Sequence, residues 1–503
     1  MSTITIQLSE DQQIAENNIL DWIEASKEAQ FSLIGYAGTG KTFLVGQLIN
    51  RIKRNGLRVC IAAPTHKAKE VLQEKCGFTD AYTSAGLIGL APDEGLENFD
   101  PLKLEFMPKF DSKVNDYDII IHDESSMLPP KYHEYLVDEC VRCSAKVIFV
   151  GDDAQLPPIK STKETEAEIK KYGYILRDSP ALLCEDNAVL SQVIRQGNDN
   201  PLSYLLLALR LDIDFHRGRN QEKKVYDSFV ELLPQQYHNI LEGIQRGRFV
   251  HRIIANIGQD LNADGKGFTF IRQQSEFDAA ITHVTDEIRD KIMSRAVAFT
   301  NDRVRELNLM IRKGLIDAPA ENGFELLPGE SVMGYNTIRD ANLVNIVTNS
   351  KEYVIKKVGK PYEDLHGYKV VEVNFENHGP TLIVLHPDSY PQYLKEYMTR
   401  LNAGRAKKQG AWKAYYSFKN SYILFDDLSK KFNNKEYPKK DFDYSYAITT
   451  HKSQGSTYKT VLVDMNNMLP MIDINKGDKT DFYRMLYVAA SRASHQAIFY
   501  IKK

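Results

Sequence analysis

The segment Gly35-Tyr36-Ala37-Gly38-Thr39-Gly40-Lys41-Thr42 decides the fold of this chain, because it lies between an apolar run and an amphipathic helical pattern. Its glycines let backbone N–H groups close around phosphates, and the helix that follows directs the positive end of its dipole toward them. In such a loop Lys41 reaches the β and γ phosphates, and the Thr42 hydroxyl is a ligand of magnesium. The segment therefore predicts a site for ATP and Mg²⁺ in which the residues from Gly35 to Thr42 contact the nucleotide.

Short apolar runs recur along the chain, and each of them ends at a polar or glycine cluster. Their composition predicts buried strands of mostly parallel sheets. Helical patterns at 42–53 and 68–75 separate the early runs, so strand, loop and helix alternate as in a doubly wound α/β domain. The runs are Phe31–Ile34, Val59–Ala62, Ile119–Ile121, Val147–Val150, Ala296–Phe299, Val461–Val463 and Ala497–Tyr500.

Polar residues follow several of these runs, where ligands of parallel sheets bind. Asp123 and Glu124 end one strand, and we assign magnesium binding to Asp123 and the general-base role to Glu124. Gln155 follows the strand ending at Val150, where its amide would face the γ-phosphate or the attacking water, unless the segment is only a turn. Arg195 and Arg492 also follow apolar segments and would stabilise the charge of the transition state. Taken singly, each of them is better explained as a surface ion pair.

Composition sets broad limits on the protein class. With 503 residues, 43% hydrophobic and 26% charged, the chain is an ordinary globular protein of about three or four domains. It shows no secretory leader and no run near the roughly 18 apolar residues of a membrane span, so we expect a cytoplasmic protein, in the host cytoplasm if phage-encoded, and no membrane partner. Five cysteines form neither a disulfide framework nor zinc-site spacing. The net charge of −3 argues neither for nor against binding of nucleic acid, since a binding channel needs only local positive charge.

Two segments interrupt the α/β alternation. Residues 86–110 contain a mixture of Pro, Gly, Asp and Phe that is typical of an insertion rather than of a core helix. Residues 322–440 contain short runs that alternate apolar and polar residues, as strands do, followed by a polar, aromatic and basic helical stretch. Basic and aromatic side chains interleave between 400 and 440, which suits single-stranded nucleic acid. The alternative is a helix pair that packs its aromatic rings inward and leaves a solvated basic face.

In their order along the chain, these segments resemble the motifs of superfamily 1 helicases, most closely the Dda-like and RecD-like group that moves 5′ to 3′. The resemblance covers both motor halves, roughly residues 5–310 and 441–503. It rests on seven ordered blocks besides the adenine-reading segment. The matching segments are Leu8–Gln12, Gly35–Thr42, Ala63–Lys69, Asp123–Glu124, Gly151–Pro158, Leu190–Arg195, Thr450–Ser456 and Tyr487–Arg492.

The resemblance implies roles that the residues alone do not show. Gln12 would contact adenine, Arg195 and Arg492 would be arginine fingers, and Gln454 would couple the nucleotide to the second motor domain. It also implies an α/β fold with two RecA-like P-loop domains, a β-pin insertion and an SH3-like β subdomain with a helical tower. The expected bounds are 1–195 for motor domain 1A with pin insertion 1B at about 86–110, 196–321 and 441–503 for domain 2A, and 322–440 for subdomain 2B.

Several polar residues at strand ends carry hydroxyl, imidazole or ammonium groups, which bind backbone phosphates without distinguishing bases. We expect them to contact a single strand. They are Thr65, His66, Lys67, Thr83, Ser84, Thr450, His451 and Lys452. Pro64, which precedes Thr65, is expected to contact the strand with them. The segment Tyr82–Gly86 departs from the family, since the relatives carry a histidine before the serine; contacts there are expected only from Thr83 and Ser84.

The insertion at 86–110 would be the duplex-splitting pin, with Phe99 or Phe106 as the wedge that stacks on the last base pair. Nothing local separates this from an ordinary surface loop. The expected protein is an ATP hydrolase and DNA helicase, active as a monomer on single-stranded and forked DNA, with a single-strand-binding or replication protein as a possible partner. The alternatives are a P-loop ATPase that remodels proteins or signals without translocation, and a non-enzymatic DNA-binding module.

Overall fold

The structure is a computed structural model, and it describes residues 8–92, 106–108, 110–158, 165–166, 169–170, 178–191, 200–217, 234–241, 247–316, 326–339, 345–377, 379–406, 410–474 and 478–502. The chain divides into two compact units. The first contains Met1–Gly89, Phe110–Leu307 and Ile448–Lys503, and the second contains Leu90–Lys109 and Asn308–Ala447.

The N-terminal part alternates strands and helices. Its elements are α1 (Glu10–Ala25), β1 (Gln30–Gly35), α2 (Lys41–Arg54), β2 (Val59–Ala63), α3 (His66–Cys76), β3 (Ala81–Thr83), α4 (Ser84–Leu87), β4 (Leu90–Pro92), β5 (Phe106–Pro108), β6 (Ile119–His122), α5 (Pro130–Cys143), β7 (Lys146–Gly151) and β8 (Asn187–Leu190). Short 3-10 turns lie at Val114–Asp116, Ser125–Met127 and Pro180–Leu182.

The middle of the chain changes from helices to short strands. Its elements are α6 (Leu202–His216), α7 (Gln235–Leu241), α8 (Phe249–Asn256), β9 (Gln259–Leu261), β10 (Gly267–Ile271), α9 (Gln274–Arg289), β11 (Arg295–Ala298), α10 (Asn301–Leu315), β12 (Ser331–Gly334), β13 (Ile338–Arg339), β14 (Asn345–Val347), β15 (Glu352–Val358), β16 (Tyr362–Glu363), β17 (Lys369–Phe375) and β18 (Leu382–Leu385).

The C-terminal part begins with helices and returns to the α/β pattern. Its elements are α11 (Tyr390–Arg405), α12 (Ala411–Ser421), α13 (Leu428–Lys431), β19 (Phe442–Tyr444), β20 (Ala447–Thr449), α14 (Thr450–Ser453), β21 (Tyr458–Asp464), α15 (Pro470–Ile474), α16 (Thr480–Ser491) and β22 (Ala493–Tyr500). Further 3-10 turns lie at Pro387–Ser389 and Met465–Asn467.

The first unit contains two α/β sheets. In one, the order is β3-β2-β6-β7-β1-β8 and every neighbouring pair is parallel. In the other, the order is β20-β11-β21-β22-β10-β9; β11, β21, β22 and β10 are parallel, while β9 runs antiparallel to β10. Because parallel strands end at the same edge, the loops after β1, β2, β3, β6 and β7 lie along one crevice of the first sheet.

Each of the apolar runs forms a strand, which confirms the α/β fold expected from them. They became β1, β2, β6, β7, β11, β21 and β22. The helical patterns at 42–53 and 68–75 became α2 and α3. Strands β2 and β6 are buried along their whole length, as strands of a sheet covered on both faces must be.

The second unit has a sheet of a different kind. Its strands follow the order β16-β17-β15-β12-β19 with β18 beside β17, and these pairs are antiparallel. In β17, Val371, Val373 and Phe375 are buried on one face, while Glu372 is exposed on the other. Hairpins β13–β14 and β4–β5 are separate antiparallel pairs.

Helices α11 and α12 of the second unit enclose a cluster of aromatic rings. Tyr393, Trp412, Tyr415 and Tyr422 are buried there. Gly404 allows the contact, because a Cβ at that position would lie 2.8 Å from Trp412 Cδ2. Of the two interpretations of this stretch, the structure supports inward packing, since rings buried in this way are not available to stack on bases.

Within the described residues, no helix is both long and apolar enough to cross a membrane. The five cysteines are free thiols, and Cys60, Cys140 and Cys184 are buried.

Candidate functional site

The loop between β1 and α2 adopts a conformation that depends on its glycines. Gly38 and Gly40 have φ values of 84° and 77°, in the left-handed region that favours glycine. A Cβ on Gly35 would lie 2.7 Å from Lys41 Cγ and 2.8 Å from Thr39 Oγ1. Helix α2 begins at Lys41 without a side-chain cap, so its first N–H groups point toward the loop. The loop thus presents backbone donors suited to an anion.

Lys41 is folded back onto this loop. Its Nζ donates to the carbonyl oxygens of Gly35 at 2.7 Å and Tyr36 at 3.0 Å. Burial lowers the pKa of Lys41, and the negative charges of Asp152 and Glu124 partly oppose that effect. The ammonium therefore lies where the nucleotide phosphates would bind and has carboxylates nearby.

The two carboxylates that follow β6 are arranged differently from each other. The N–H of Asp123 donates to Ala62 O at 2.8 Å, which fixes it to the neighbouring strand. Glu124 has a φ of 50°, a costly conformation for a residue with a side chain, and its N–H donates to Asp123 Oδ1 at 2.9 Å. The backbone therefore turns sharply between them, and both side chains line the same cavity.

Burial, together with the neighbouring Glu124 charge, raises the pKa of Asp123 to about 7. A divalent cation beside Asp123 would offset both causes and keep this carboxylate ionised. The Thr42 hydroxyl lines the same cavity. Hard oxygen ligands of this kind fit Mg²⁺, so these residues suit the ion.

The cavity has a volume of about 320 Å³ and is lined by both α/β sheets. The first contributes the phosphate loop, Asp123, Glu124 and Gln155; the second contributes Gly455–Thr457, Ser491 and Arg492. Arg492 is buried, and within the described residues the hydrogen bonds of its guanidinium go to neutral oxygens, those of Val488, Ser491 and Ser456. A buried guanidinium held in this way at a cavity wall is suited to bind an anion.

The two predicted glutamines meet each other across this site. Gln454 Nε2 donates to Gln155 Oε1 at 3.4 Å, and both side chains are buried. Gln454 Oε1 is buried without a hydrogen-bond partner among the described atoms. Gln155 belongs to the loop after β7 and Gln454 follows α14, so this bond joins the two halves next to the nucleotide cavity.

Gln12 lies against the phosphate loop. Its Nε2 donates to Thr39 O at 3.1 Å, and its Oε1 accepts from the N–H of Ser9 at 3.0 Å in a capping box that begins α1. The side chain therefore connects the start of α1 to the loop. Its contact with adenine stays a prediction.

Ser84 and Thr450, two of the predicted strand contacts, have partners inside the protein. Ser84 is buried, and its Oγ lies 2.8 Å from His122 Nε2; Thr450 is buried and donates to Ala298 O at 3.4 Å. Thr65 and Thr83 cap α3 and α4 at the ends of β2 and β3. Pro64, His66 and Lys67 adjoin the α3 cap, and His451 and Lys452 lie in α14.

His122 connects the α4 segment to the loop that carries Glu124. Its Nδ1 lies 2.8 Å from Ser125 Oγ, and that hydroxyl donates to His122 O at 2.7 Å. Burial lowers the pKa of His122 to about 3, so the ring is neutral. Because Ser125 Oγ uses its proton on the carbonyl, Nδ1 carries the ring proton and Nε2 accepts from Ser84. This chain of hydrogen bonds holds Ser84 rather than exposing it.

Two predicted residues, Arg195 and Phe99, lie outside the described residues. Phe106 lies in β5 of the hairpin that pairs with β4. The arginine-finger role of Arg195 and the wedge roles of Phe99 and Phe106 therefore stay predictions.

Sequence reasoning missed a buried ionic cluster behind the phosphate loop. Arg210 of α6 binds Asp152 at 2.6 Å and also contacts Asp153, and its guanidinium lies 3.8 Å from the ring centroid of Tyr36. Arg217 binds Asp178 at 2.5 Å, and Arg484 of α16 contacts the same carboxylate. The available signal was the run Leu209–Phe215, where charged residues alternate with apolar ones inside a helix.

Comparison with known proteins locates the same two halves. A family model described as an AAA domain matches residues 7–212, and one described as a UvrD-like helicase C-terminal domain matches residues 444–500. The two matches contain the phosphate loop and Arg492, respectively.

Several curated proteins are similar to this chain. An uncharacterized protein of Acanthamoeba polyphaga mimivirus is 21% identical, over 98% of this chain and 99% of its own length. The ATP-dependent DNA helicase dda of Enterobacteria phage T4 is 25% identical, over 62% of this chain and 58% of its own length. The ATP-dependent RecD2 DNA helicase of Deinococcus radiodurans is 32% identical, over 34% of this chain and 20% of its own length. The chain thus spans less than two thirds of these two helicases.

Among solved structures, a Pif1 helicase from Bacteroides in complex with ADP-AlF3 and ssDNA has a TM-score of 0.47 and 16% sequence identity, covering 98% of this chain and 92% of its own. The two family matches and the similar helicases agree with the order of the motifs, so the resemblance of this chain to the Dda-like and RecD-like group of superfamily 1 helicases is confirmed.

Proposed function

We propose that this protein is an ATP-dependent DNA helicase that translocates 5′ to 3′ on single-stranded DNA and unwinds duplex DNA. The observation that carries the proposal is the cavity itself, because the phosphate loop and two carboxylates come from one sheet while Arg492 comes from the other. A nucleotide bound there would contact both halves. Its binding and hydrolysis would therefore change how the halves are held together.

In this proposal each cavity residue has one task. Lys41 and the loop N–H groups bind the phosphates, Thr42 and Asp123 hold magnesium, and Glu124 accepts a proton from the attacking water. The metal supplies charge neutralisation of the phosphate oxygens. Gln155 orients the water, and Arg492, with Arg195 as a second finger, stabilises the charge that develops on the γ-phosphate.

The strand would be held through its phosphates by residues beside the ends of β2, β3 and β20. Thr65, His66, Lys67, Thr83 and Lys452 have side-chain groups of the required chemistry. We assign Pro64 and His451 to the same surface. For Ser84 and Thr450, whose hydroxyls have internal partners, we propose that they support these contacts from behind.

The domain assignment follows from the same proposal. Residues 1–195 form motor domain 1A with the pin insertion at 86–110, 196–321 and 441–503 form domain 2A, and 322–440 form subdomain 2B, whose helices α11 and α12 are the tower. Phe99 or Phe106 acts as the wedge. The protein works as a monomer on forked DNA, and a single-strand-binding or replication protein is its partner.

The test is steady-state ATP hydrolysis with and without single-stranded DNA, for the wild type and Arg492→Ala. Because Arg492 acts on the transition state, we expect DNA-stimulated kcat to fall about 10³-fold in the variant, the lower range for an arginine finger. Arg142→Ala is the matched control, since this exposed arginine on α5 pairs with Glu139.

Two results would contradict the proposal. ATP turnover that single-stranded DNA leaves unchanged would favour a P-loop ATPase that acts without translocation. Equal rates for Arg492→Ala and Arg142→Ala would remove Arg492 from the catalytic machinery.

A further inference from the structure

Tyr487 joins three parts of the ATP site through a single hydroxyl group. The residue lies in α16, on the second α/β sheet, and is completely buried. Its Oη accepts a hydrogen bond from the N–H of Ala37 in the phosphate loop at 2.9 Å. The same Oη donates to Asp152 Oδ2 at 2.7 Å, in the loop that also carries Gln155.

Asp152, which accepts the hydrogen bond from Tyr487, is held in place by two further groups. Asp152 Oδ1 receives Arg210 at 2.6 Å and the N–H of Ala154 at 3.1 Å, so the carboxylate cannot rotate without losing both bonds. Burial raises the pKa of Tyr487 well above its usual value, and the charge of Asp152 adds to that effect. The phenol therefore keeps its proton and remains a donor to Asp152.

Tyr487 and Arg492 belong to the same rigid element. Helix α16 runs to Ser491, with Arg492 as its C-cap. Five residues of helix correspond to about 7.5 Å along the axis. Arg492 is further held by Val488 O and Ser491 Oγ of that helix. The point at which α16 contacts the phosphate loop therefore determines how far Arg492 extends into the cavity.

We propose that Tyr487 is a positioning residue for hydrolysis, which docks α16 on the phosphate loop and on Asp152 and so places Arg492 against the γ-phosphate. Tyr487 touches no reacting atom; it acts through Arg492. The inference rests on the proposed function, because it requires that the protein hydrolyses ATP and that Arg492 acts on the γ-phosphate.

The first experiment compares Tyr487→Phe with Tyr483→Phe. Tyr483 is the matched control, because it lies one turn earlier on α16 and its ring stacks on His216. In Tyr487→Phe the ring remains, but the two hydrogen bonds of the hydroxyl, with Ala37 and with Asp152 Oδ2, are lost. We expect kcat to fall about 10-fold to 100-fold, with KM for ATP changed less than about 3-fold, since the lost bonds position Arg492, which acts in the transition state. Tyr483→Phe should behave as the wild type.

The second experiment separates positioning from a general loss of structure. Tyr487→Phe should weaken binding of ADP-fluoroaluminate, which mimics the transition state, at least about 10-fold more than binding of ADP. In an Arg492→Ala background, single-turnover hydrolysis should show no further loss when Tyr487→Phe is added, because the two residues act as one unit. Thermal unfolding of each variant reports whether it is folded.

Some results would overturn the role of Tyr487, and another would overturn the proposed function. Equal kcat for Tyr487→Phe and Tyr483→Phe, an equal loss of ADP and ADP-fluoroaluminate affinity, or a full additional rate loss in the Arg492→Ala background would each overturn the inference. A wild-type protein that does not hydrolyse ATP would instead overturn the proposed function, so the two failures are distinguishable.

Discussion

At the residue scale, Gly35 shows how little space the phosphate loop leaves for a side chain. We predict that Gly35→Ala lowers ATP affinity about 10-fold or more, because its Cβ would lie 2.7 Å from Lys41 Cγ and must displace that side chain. Binding of a fluorescent ATP analogue measures the effect.

Gly46→Ala is the control for this substitution. Gly46 lies inside α2, and a Cβ there would have Cys76 Sγ as its nearest neighbour, at 4.0 Å. Alanine should stabilise the helix by about 0.5–1 kcal/mol and leave ATP affinity unchanged. Equal ATP affinity in both variants would show that Lys41 has room to move.

His133 of α5 gives a prediction about pH. Its Nε2 lies 3.0 Å from Gln30 Oε1, and burial lowers its pKa from 6.5 to about 4. The unfolded chain therefore binds a proton at a pH where the folded chain does not. The resulting stability is complete above about pH 6.5 and is lost as the pH falls toward 4, by up to about 1.4 kcal/mol per pH unit.

The measurement compares urea unfolding of the wild type and His133→Asn between pH 7.5 and pH 4.5. We expect the advantage of the wild type to shrink as the pH falls, because asparagine does not titrate. His251→Asn, at an exposed position on α8, is the control for replacing a histidine that is not buried. The prediction would be contradicted if the free energies of unfolding of the wild type and His133→Asn changed in parallel with pH.

Site residues that belong to short local motifs could be predicted from the sequence, whereas those that act on distant partners could not. Lys41 and Asp123 could be assigned because the loop pattern and the strand end each occupy a few consecutive residues. Tyr487 and Arg210 could not, because Tyr487 acts on Ala37 and Arg210 on Asp152, and these partners lie far apart along the chain. The pairing of Ser84 with His122 was hidden for the same reason.

At the element scale, the strands that could be predicted from the sequence are those buried on both faces. Strands β2, β6 and β7 are continuous apolar runs, whereas β8 alternates exposed and buried residues and β3 has only partly buried ones, so neither was predicted. The helix α6 was likewise missed as part of the site, because its function depends on the charges that interrupt its apolar residues.

The helix pair α11–α12 carries the element-scale prediction. In Gly404→Ala the new methyl group would meet the Trp412 ring at 2.8 Å, so the ring must move and the pair should lose about 1–3 kcal/mol of stability. The chain has two tryptophans. A Trp22→Phe background therefore isolates the fluorescence of Trp412 during urea unfolding.

The control is Gly379→Ala, also in the second unit, since a Cβ at that position has no neighbour within 4 Å. It should leave the fluorescence and the unfolding midpoint of that unit unchanged. An unshifted Trp412 signal in Gly404→Ala would contradict the packing described for the aromatic cluster.

At the scale of the whole molecule, the nucleotide cavity needs both motor halves. Gln155 with Gln454, and Ala37 with Tyr487, connect the first sheet to the second beside the phosphates. Motif order along the chain was enough to predict two such halves. The contacts between them were not predictable, because each joins residues separated by about 300 or more positions.

The most direct test of the proposed helicase is unwinding of a short DNA duplex that carries a single-stranded tail at either its 5′ or its 3′ end. We predict ATP-dependent strand separation of the 5′-tailed duplex, little with the 3′-tailed one, and none with Lys41→Ala. Unwinding only from the 3′ tail, or none from either tail by a protein that hydrolyses ATP, would contradict the account.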